Sequence, residues 1–477
     1  MSSKKSIIFL LPVMLMVSAC ATYYQDNYNL NRVIERGDIK SAIDILNTRE
    51  REGKSDGRNR FLSYVNNGIL LSISGKYEES NEYFEKAYLF GEDYHLNYLN
   101  EAASYFTNPM VTIYRGEDHE HLMLLYYKAL NFLKMNRPDD ALVECRRLDI
   151  RLKKLSDKYT SETKFQRDAF IHVLMGIAYQ SSKDYNNAFI AYRNAVEIYE
   201  EDYSSMFGLP VPEQLKKDLL NTASWTGFTE EFEFYKNKFE MVDYKPIAPE
   251  AELVFFWHNG LSPVKSEWGI NFMIQRDGPD MVVFRNDDLN LAFPFEMKRD
   301  KEDKDKKDPL AGLEFFRVAF PKYVERPSYY STAFIQHDTA TYMLEQAENI
   351  NKIAFYSLQQ RMHIEMAKGL LRAAMKKATE NSLRKESDTF GALIGLVNAI
   401  TEKADTRNWQ TLPHSIYYTR VPFTEGENKL SFTVKSQSGE DADYNFTYRA
   451  LKGQTLFHTF SSLETTLAPP RISNVTE

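Results

Sequence analysis

The chain is 477 residues long, 43% hydrophobic and 26% charged, with a formal charge of −8. No lysine- or arginine-rich block is long enough to follow a phosphate backbone, which argues against nucleic acid as a partner. The length and apolar content support two or more cored domains, and the two cysteines, Cys20 and Cys145, rule out a disulfide-stapled scaffold.

Residues 1–19 have the pattern of a cleaved secretory signal. Lys4 and Lys5 precede an apolar run at 7–17 that is too short to span a bilayer, and Val17-Ser-Ala-Cys20 closes it with small residues. The order resembles a bacterial lipobox. It implies that Cys20 is the lipidated first residue of the mature chain, and the following Ala21 implies an outer-membrane, periplasm-facing location. The alternative is an ordinary signal with an incidental cysteine. With Cys20 lipidated, Cys145 has no partner. It shares an apolar helical stripe with Ala141 and Leu148 and is expected to be buried rather than reactive.

Residues 20–245 have helical periodicity nearly throughout. In 169–201, small residues (Gly176, Ala188, Ala195) alternate with large ones (Met175, Tyr179, Tyr192), and 181–184 supplies a polar turn. The spacing predicts an antiparallel helix pair whose backbones touch at the small positions. The stretch resembles a tetratricopeptide (TPR) repeat, its signature positions falling on Gly176, Tyr179, Ala188, Tyr192 and Ala195. The same template fits 60–90 through Gly68 and Ala87 and 122–155 through Ala129 and Ala141, with a degenerate unit at 32–49. A TPR-like α-solenoid follows from the resemblance.

The segment 108–121 interrupts the helices and concentrates chemical groups. Glu117, His119, Glu120 and His121 lack the spacing that places two metal ligands on one helix face, so no metal is expected. A buried ion pair is expected instead, with Tyr114-Arg-Gly116-Glu117 packing on the next unit and Arg146 or Arg147 holding Glu117 or Glu120 beside Glu144. The Tyr-x-Gly-Glu loop, the helix 126–130, the phrase Ala-Leu-Val-Glu-x-Arg-Arg at 141–147 and the segment 402–413 are together similar to a little-studied family of bacterial TPR lipoproteins. That resemblance implies a fold but little biochemistry.

A Pro246/Pro249 pair reads as a hinge, and 250–463 as a second domain. Strands are predicted at 252–257, 281–284, 289–295, 315–320, 416–421, 429–435, 444–450 and 455–460. The mixed-charge run 298–308 reads as a solvated loop. A helical insertion is expected over about 339–405, containing a methionine stripe and the apolar stretch 390–400. The overall class is α+β, a TPR-like solenoid followed by a small antiparallel β-sandwich with a long helical insertion and a disordered tail at 465–477. Asp405, Arg407 and Trp409 are expected to form a structural corner between the insertion and the sheet.

No nucleophile motif, phosphate loop or metal signature stands out, and no cofactor is implied. The best-supported reading is a lipid-anchored envelope scaffold that binds envelope proteins through the solenoid without catalysis. The alternatives are an envelope hydrolase using Glu117, Glu120 or His258, and a glycan- or peptidoglycan-binding lipoprotein exploiting the 30 tyrosines. An enzyme requires convergent acid and base groups in a pocket, a scaffold an open groove, and a glycan binder a flat aromatic shelf.

Overall fold

The computed structural model describes residues 22–53, 57–95, 112–158, 167–277, 281–296, 315–384, 404–437 and 440–465. Cys20, the charge run 298–308, the apolar stretch 390–400 and the tail after 465 lie outside these residues.

The first half is a series of helical hairpins. After a one-turn helix at Tyr23–Asp26 come α1 (Tyr28–Glu35), α2 (Ile39–Arg51), α3 (Arg60–Ile73), α4 (Tyr77–His95), α5 (Asp118–Lys134), α6 (Pro138–Lys158), α7 (Ala169–Ser181), α8 (Tyr185–Ile198), α9 (Glu213–Thr226) and α10 (Thr229–Lys238). A π-helical turn at Tyr199–Tyr203 continues α8. Five hairpin turns use one device, a left-handed residue after the first helix: Gly37, Gly75, Asn136, Lys183 and Gly227, with φ from 55° to 77°. In each, the next residue's N–H bonds back to the carbonyl five residues earlier, as Asp184 does to Tyr179 at 2.9 Å. This is the Schellman closure, which satisfies carbonyls that a helix end otherwise orphans. Asp38 and Asp184 then cap the second helices by accepting from Ser41 N and Asn187 N, each at 3.1 Å.

Close approach explains the glycines at the repeat positions. A Cβ on Gly176 would stand 2.3 Å from Tyr192 Cε1, and one on Gly68 would stand 2.6 Å from Phe84 Cε1. Both rings are fully buried. We therefore expect Gly176→Ala to destabilise the protein by about 1–3 kcal/mol through overpacking. Lys183→Gly, which relieves a left-handed lysine in a surface turn, should stabilise it by up to about 1 kcal/mol. Thermal melts of the two variants check both signs; equal shifts would mean that Gly176 does not sit at a tight contact.

Among the described residues the second half has twelve strands and one long helix. The strands are β1 (Ala251–Asn259), β2 (Val264–Arg276), β3 (Met281–Asn286), β4 (Leu291–Glu296), β5 (Phe315–Val324), β6 (Tyr330–His337), β7 (Ala340–Met343), β8 (Glu345–Asn349), β9 (Ser415–Phe423), β10 (Gly426–Ser436), β11 (Asp441–Ala450) and β12 (Thr455–Ser461), and α11 (Ile350–Arg384) lies between β8 and β9. They form three four-stranded sheets, ordered β12-β1-β9-β8, β11-β10-β6-β7 and β4-β3-β2-β5. The expected all-antiparallel pairing fails at one place: β1 and β12 run parallel, Leu253 beside Leu456 and Trp257 beside Phe460.

Two further expectations are corrected. Strands β2 and β6 fall outside the strands predicted from sequence, and the helix expected from 339 starts at Ile350. Asp338, at φ 51°, turns β6 into β7 with His337 opposite Ala340, and β8 then pairs with β9 before the helix can begin. Asn349 caps α11, its Oδ1 accepting from Lys352 N at 2.8 Å. The stripe Met343, Ala347, Ile350 has helical spacing, but Met343 is half exposed on a strand and Ala347 is fully buried on the next.

The proline pair does not separate two bodies. Strand β1 is apolar on both faces: Val254 and Phe256 join the helical core, while Leu253, Phe255 and Trp257 join the core between the first two sheets. The third sheet packs Ile270, Phe272, Val318 and Phe320 against Met366 and Leu370 of α11. Helix and sheet thus share a continuous interior, and the linker itself is held by Tyr244 Oη donating to Asn221 Oδ1 at 2.9 Å.

This shared interior closes the concave side of the helices. On α5, every residue from His119 to Asn131 is buried. One side of this helix packs on α4 and α6, and on the other Tyr126 meets Phe256 while Tyr127 and Phe84 meet Trp409. The open groove expected of the solenoid is occupied along α5 by the chain's own β1 and the segment 404–411.

Candidate functional site

The start of α5 builds a buried polar junction. Gly116, at φ 83°, turns the chain into the helix beside Phe61, and Glu117 and Glu120 form a capping box in which Glu117 N donates to Glu120 Oε2 at 2.9 Å. Glu120 is fully buried and accepts two more bonds, from Tyr114 Oη at 2.8 Å and from Trp409 N at 2.6 Å. Glu117 points into the second half, where it pairs with Lys265 of β2 and with both terminal nitrogens of Arg361 of α11, Nη2 lying 2.7 Å from Oε1. Three elements distant in sequence meet at one carboxylate.

Electrostatics divide the two acids. Burial raises the Glu117 pKa, but Arg361 and Lys265 outweigh it and hold the carboxyl well below its usual range. Burial, then the negative Glu117 beside it, pushes Glu120 up to about 7, against the backbone N–H groups of Trp409 and Glu117 and the charge of Lys265, which favour the ionised form. Burial lowers His119 to about 4, so its imidazole is neutral near pH 7.

Asp405, Arg407 and Trp409 belong to this junction. Arg407, almost wholly buried, grips Asp405 through Nε at 2.9 Å and Nη2 at 2.7 Å and donates to Thr112 O at 2.7 Å, with its guanidinium 5.3 Å from the Tyr114 ring centre. Trp409 Nε1 donates to Thr411 Oγ1 at 2.7 Å.

The expected partners of Glu117 are corrected. Arg147 turns to Glu85 of α4 at 2.8 Å and to Glu144 at 3.3 Å, Glu144 lies 3.0 Å from Lys128, and Arg146 is exposed. The physical reason is direction: Glu144 and Arg147 face α4 across the hairpin stack, whereas Glu117 faces the sheets. Sequence patterns do not indicate Lys265 and Arg361, because neither is the only basic residue of its element, and the packing partner of each element is remote in the chain.

The repeat positions are helix contacts. Gly68, Ala87, Ala129, Ala141, Gly176, Ala188, Tyr192 and Ala195 are buried, and Tyr179 is half-buried beside its turn. Tyr192 also reaches the sheets, since its hydroxyl donates to Gln180 Oε1 at 2.9 Å and receives Arg420 Nη2 of β9 at 2.8 Å. Arg420 also lies 2.9 Å from both Asp218 and Glu252. A third junction sets Asp168, the N-cap of α7, near Glu348 of β8, with Tyr203 Oη donating to Glu348 at 3.1 Å. Burial raises both carboxyls, Asp168 to about 6. Cys145 is buried, and burial pushes its thiol up to about 12, which leaves it protonated and inert.

These groups bind one another. The acids face their own counter-ions or share buried hydrogen bonds, and His258 sits between Tyr126 Oη at 2.8 Å and Tyr127 Oη at 3.2 Å. A surface cavity of about 380 Å³ is lined by Asp44, Asn47, Glu50 and Arg51 of α2 and contains none of the junction residues. Among the described residues no group of three His, Cys, Asp or Glu could hold a metal ion, and no helix is long and apolar enough to cross a membrane.

Residues 59–208, from the start of α3 past the π turn, match the family model for soluble NSF attachment protein, SNAP. The helical half is a TPR-like repeat. Solved structures similar to this chain include a MamA RS-1 ArsTM double mutant (15% identity, 46% of this chain and 92% of that one, TM-score 0.29). They also include the nearly identical TPR-like repeats of a putative kinesin light chain from Podosopora anserina (11%, 46% and 92%, 0.30) and BtubC (BKLC) from P. vanneervenii (12%, 51% and 89%, 0.31). No curated protein matches the chain.

Proposed function

We propose that the protein is a lipid-anchored cell-envelope scaffold that binds protein partners through its TPR-like helices and carries out no chemistry of its own. The observation that carries this reading is the way the junctions are spent: the titratable groups that could serve an enzyme are consumed in holding the helical half on the β-sandwich-like unit and its helical insertion. Helical repeats are a protein-binding architecture, and the matched family model is named for attachment proteins. The usual groove is filled along α5, so the outer helices are the contact surface. Leu89 of α4, Val143 and Ile150 of α6 and Ile190 of α8 are exposed there, between 37% and 54%. An anchor at Cys20 would act on this body directly. Tyr23 and Tyr24 are buried, and Tyr23 N donates to Thr406 Oγ1 at 2.9 Å, so the packed fold is already engaged three positions after Cys20.

The test is Cys20→Ser, combined with photo-crosslinking in cells from positions 143 and 150. Cys20→Ser should leave an unprocessed or periplasm-released protein, and the outer-helix probes should trap discrete partners in the outer-membrane fraction of the wild type. A Cys20→Ser protein that is still processed and still fractionates with the outer membrane sinks the anchor. Probes that trap nothing, while a probe at an exposed position of the sheets does, sink the helical contact surface.

A further inference from the structure

A long strand at the edge of a sheet exposes a row of backbone donors and acceptors, and proteins blunt such edges by covering them, shortening them or placing proline in them. Among the described residues, five of the six sheet edges are treated in one of these ways. Strand β12 lies against α5, and β8 is covered by the π turn, Tyr199 Oη donating to Ala347 O at 2.5 Å. Strand β7 has four residues, β4 carries Pro294 and β5 carries Pro321. The sixth, β11, relies on charge alone: its ten residues lack proline and lysine but expose Asp441, Asp443 and Arg449, and it is bonded on one side by β10 and, among the described residues, by no other strand.

The sequence of β11 is complementary to itself. We infer that β11 is a homotypic docking edge, pairing antiparallel with β11 of a second copy so that Phe446 faces its own counterpart. In that register Asp443 stands opposite Arg449 and Asn445 opposite Thr447 on the exposed face, while Tyr444 meets Tyr448 and Ala442 meets Ala450 on the inner face. The alternation along the strand supports the two faces: Asp443, Asn445, Thr447 and Arg449 are exposed, whereas Ala442 and Ala450 are buried. Opposite charges directly across a strand pair are favourable and like charges unfavourable. A twofold axis applies each match twice, as an isologous interface requires. The result is one eight-stranded sheet across two copies, joined through main-chain bonds with side chains setting the register.

The mass of the full chain in detergent, measured by sedimentation velocity over a dilution series, tests the pairing. The wild type should be dimeric in the micromolar range, and Asp443→Arg or Arg449→Asp alone should weaken the dimer by about tenfold or more. Mixing the two single variants restores acid opposite base at every site and should restore the dimer. Asp441→Arg, which lies outside the matched pairs, should leave it intact. A wild type that stays monomeric up to about 100 µM overturns the inference. So does a dimer that ignores both reversals, or single variants that fail to recombine on mixing.

Discussion

Glu117→Ala is expected to destabilise the protein by about 3–5 kcal/mol, the cost of leaving buried charges without their counter-ion. The carboxylate is 9% exposed and Lys265 is 3% exposed, so water cannot replace what is removed. Arg361 is more open and has Glu365 at 4.0 Å to fall back on, which places most of the loss on Lys265. Pairing Glu117→Ala with Lys265→Met should therefore recover a large part of the loss, because the lysine's desolvation disappears with it. Chemical denaturation of the single and double variants reads this directly. A single variant within about 1 kcal/mol of wild type would mean that solvent reaches the junction.

The same residue sets an acid limit on stability. A carboxyl whose folded pKa lies below its unfolded value contributes stability that is complete above the usual value of 4.5 and disappears as pH falls through the folded value. Glu120 works the other way. Raised to about 7, it favours the folded state most below 4.5 and loses that contribution as pH rises through about 7. Wild-type stability should accordingly fall below about pH 4.5, and Glu117→Ala should lose the part of that fall that Glu117 supplies.

What could be read from sequence divides along the same physical line as the energetics. The hairpins were legible because small and large residues recur at helical spacing and because each turn closes locally; Gly176 and Tyr192 lie on the two arms of one hairpin. The C-terminal strands were legible from alternation, as in Leu430, Phe432 and Val434. Strand β2 was not, since its polar and apolar residues do not alternate cleanly and its inner residues face a helix rather than a second sheet. Strand β8, Glu-Gln-Ala-Glu-Asn, carries no strand signal at all and exists because β9 is there to pair with it. The junction was half visible. Glu117, Glu120, Asp405, Arg407 and Trp409 stand out in the sequence as two local features, and neither feature indicates that they are one. Nothing short-range connects Glu120 to a backbone amide 289 residues away.

Trp409→Ala is expected to cost about 3–5 kcal/mol, the range for deleting a large aromatic side chain from a core. The indole is fully buried, 6.0 Å from the Phe84 ring and 6.2 Å from the Tyr127 ring, so truncation opens a cavity between the helical half and the segment that fills its groove. It also removes the donor to Thr411 Oγ1, though that hydroxyl still donates to Asn66 Oδ1 at 2.7 Å, so the loss is chiefly one of packing. Trp409→Phe should cost less, because it keeps an aromatic ring in contact with Phe84 and Tyr127. Hydrogen exchange adds a spatial test: protection should fall first on α5 and along 404–411, before the α7–α8 hairpin, whose own contact at Gly176 is untouched. A Trp409→Ala protein that melts like the wild type yet loses its crosslinked partners would make the corner a binding surface, and the groove along α5 would then be a docking site that the chain covers only in part.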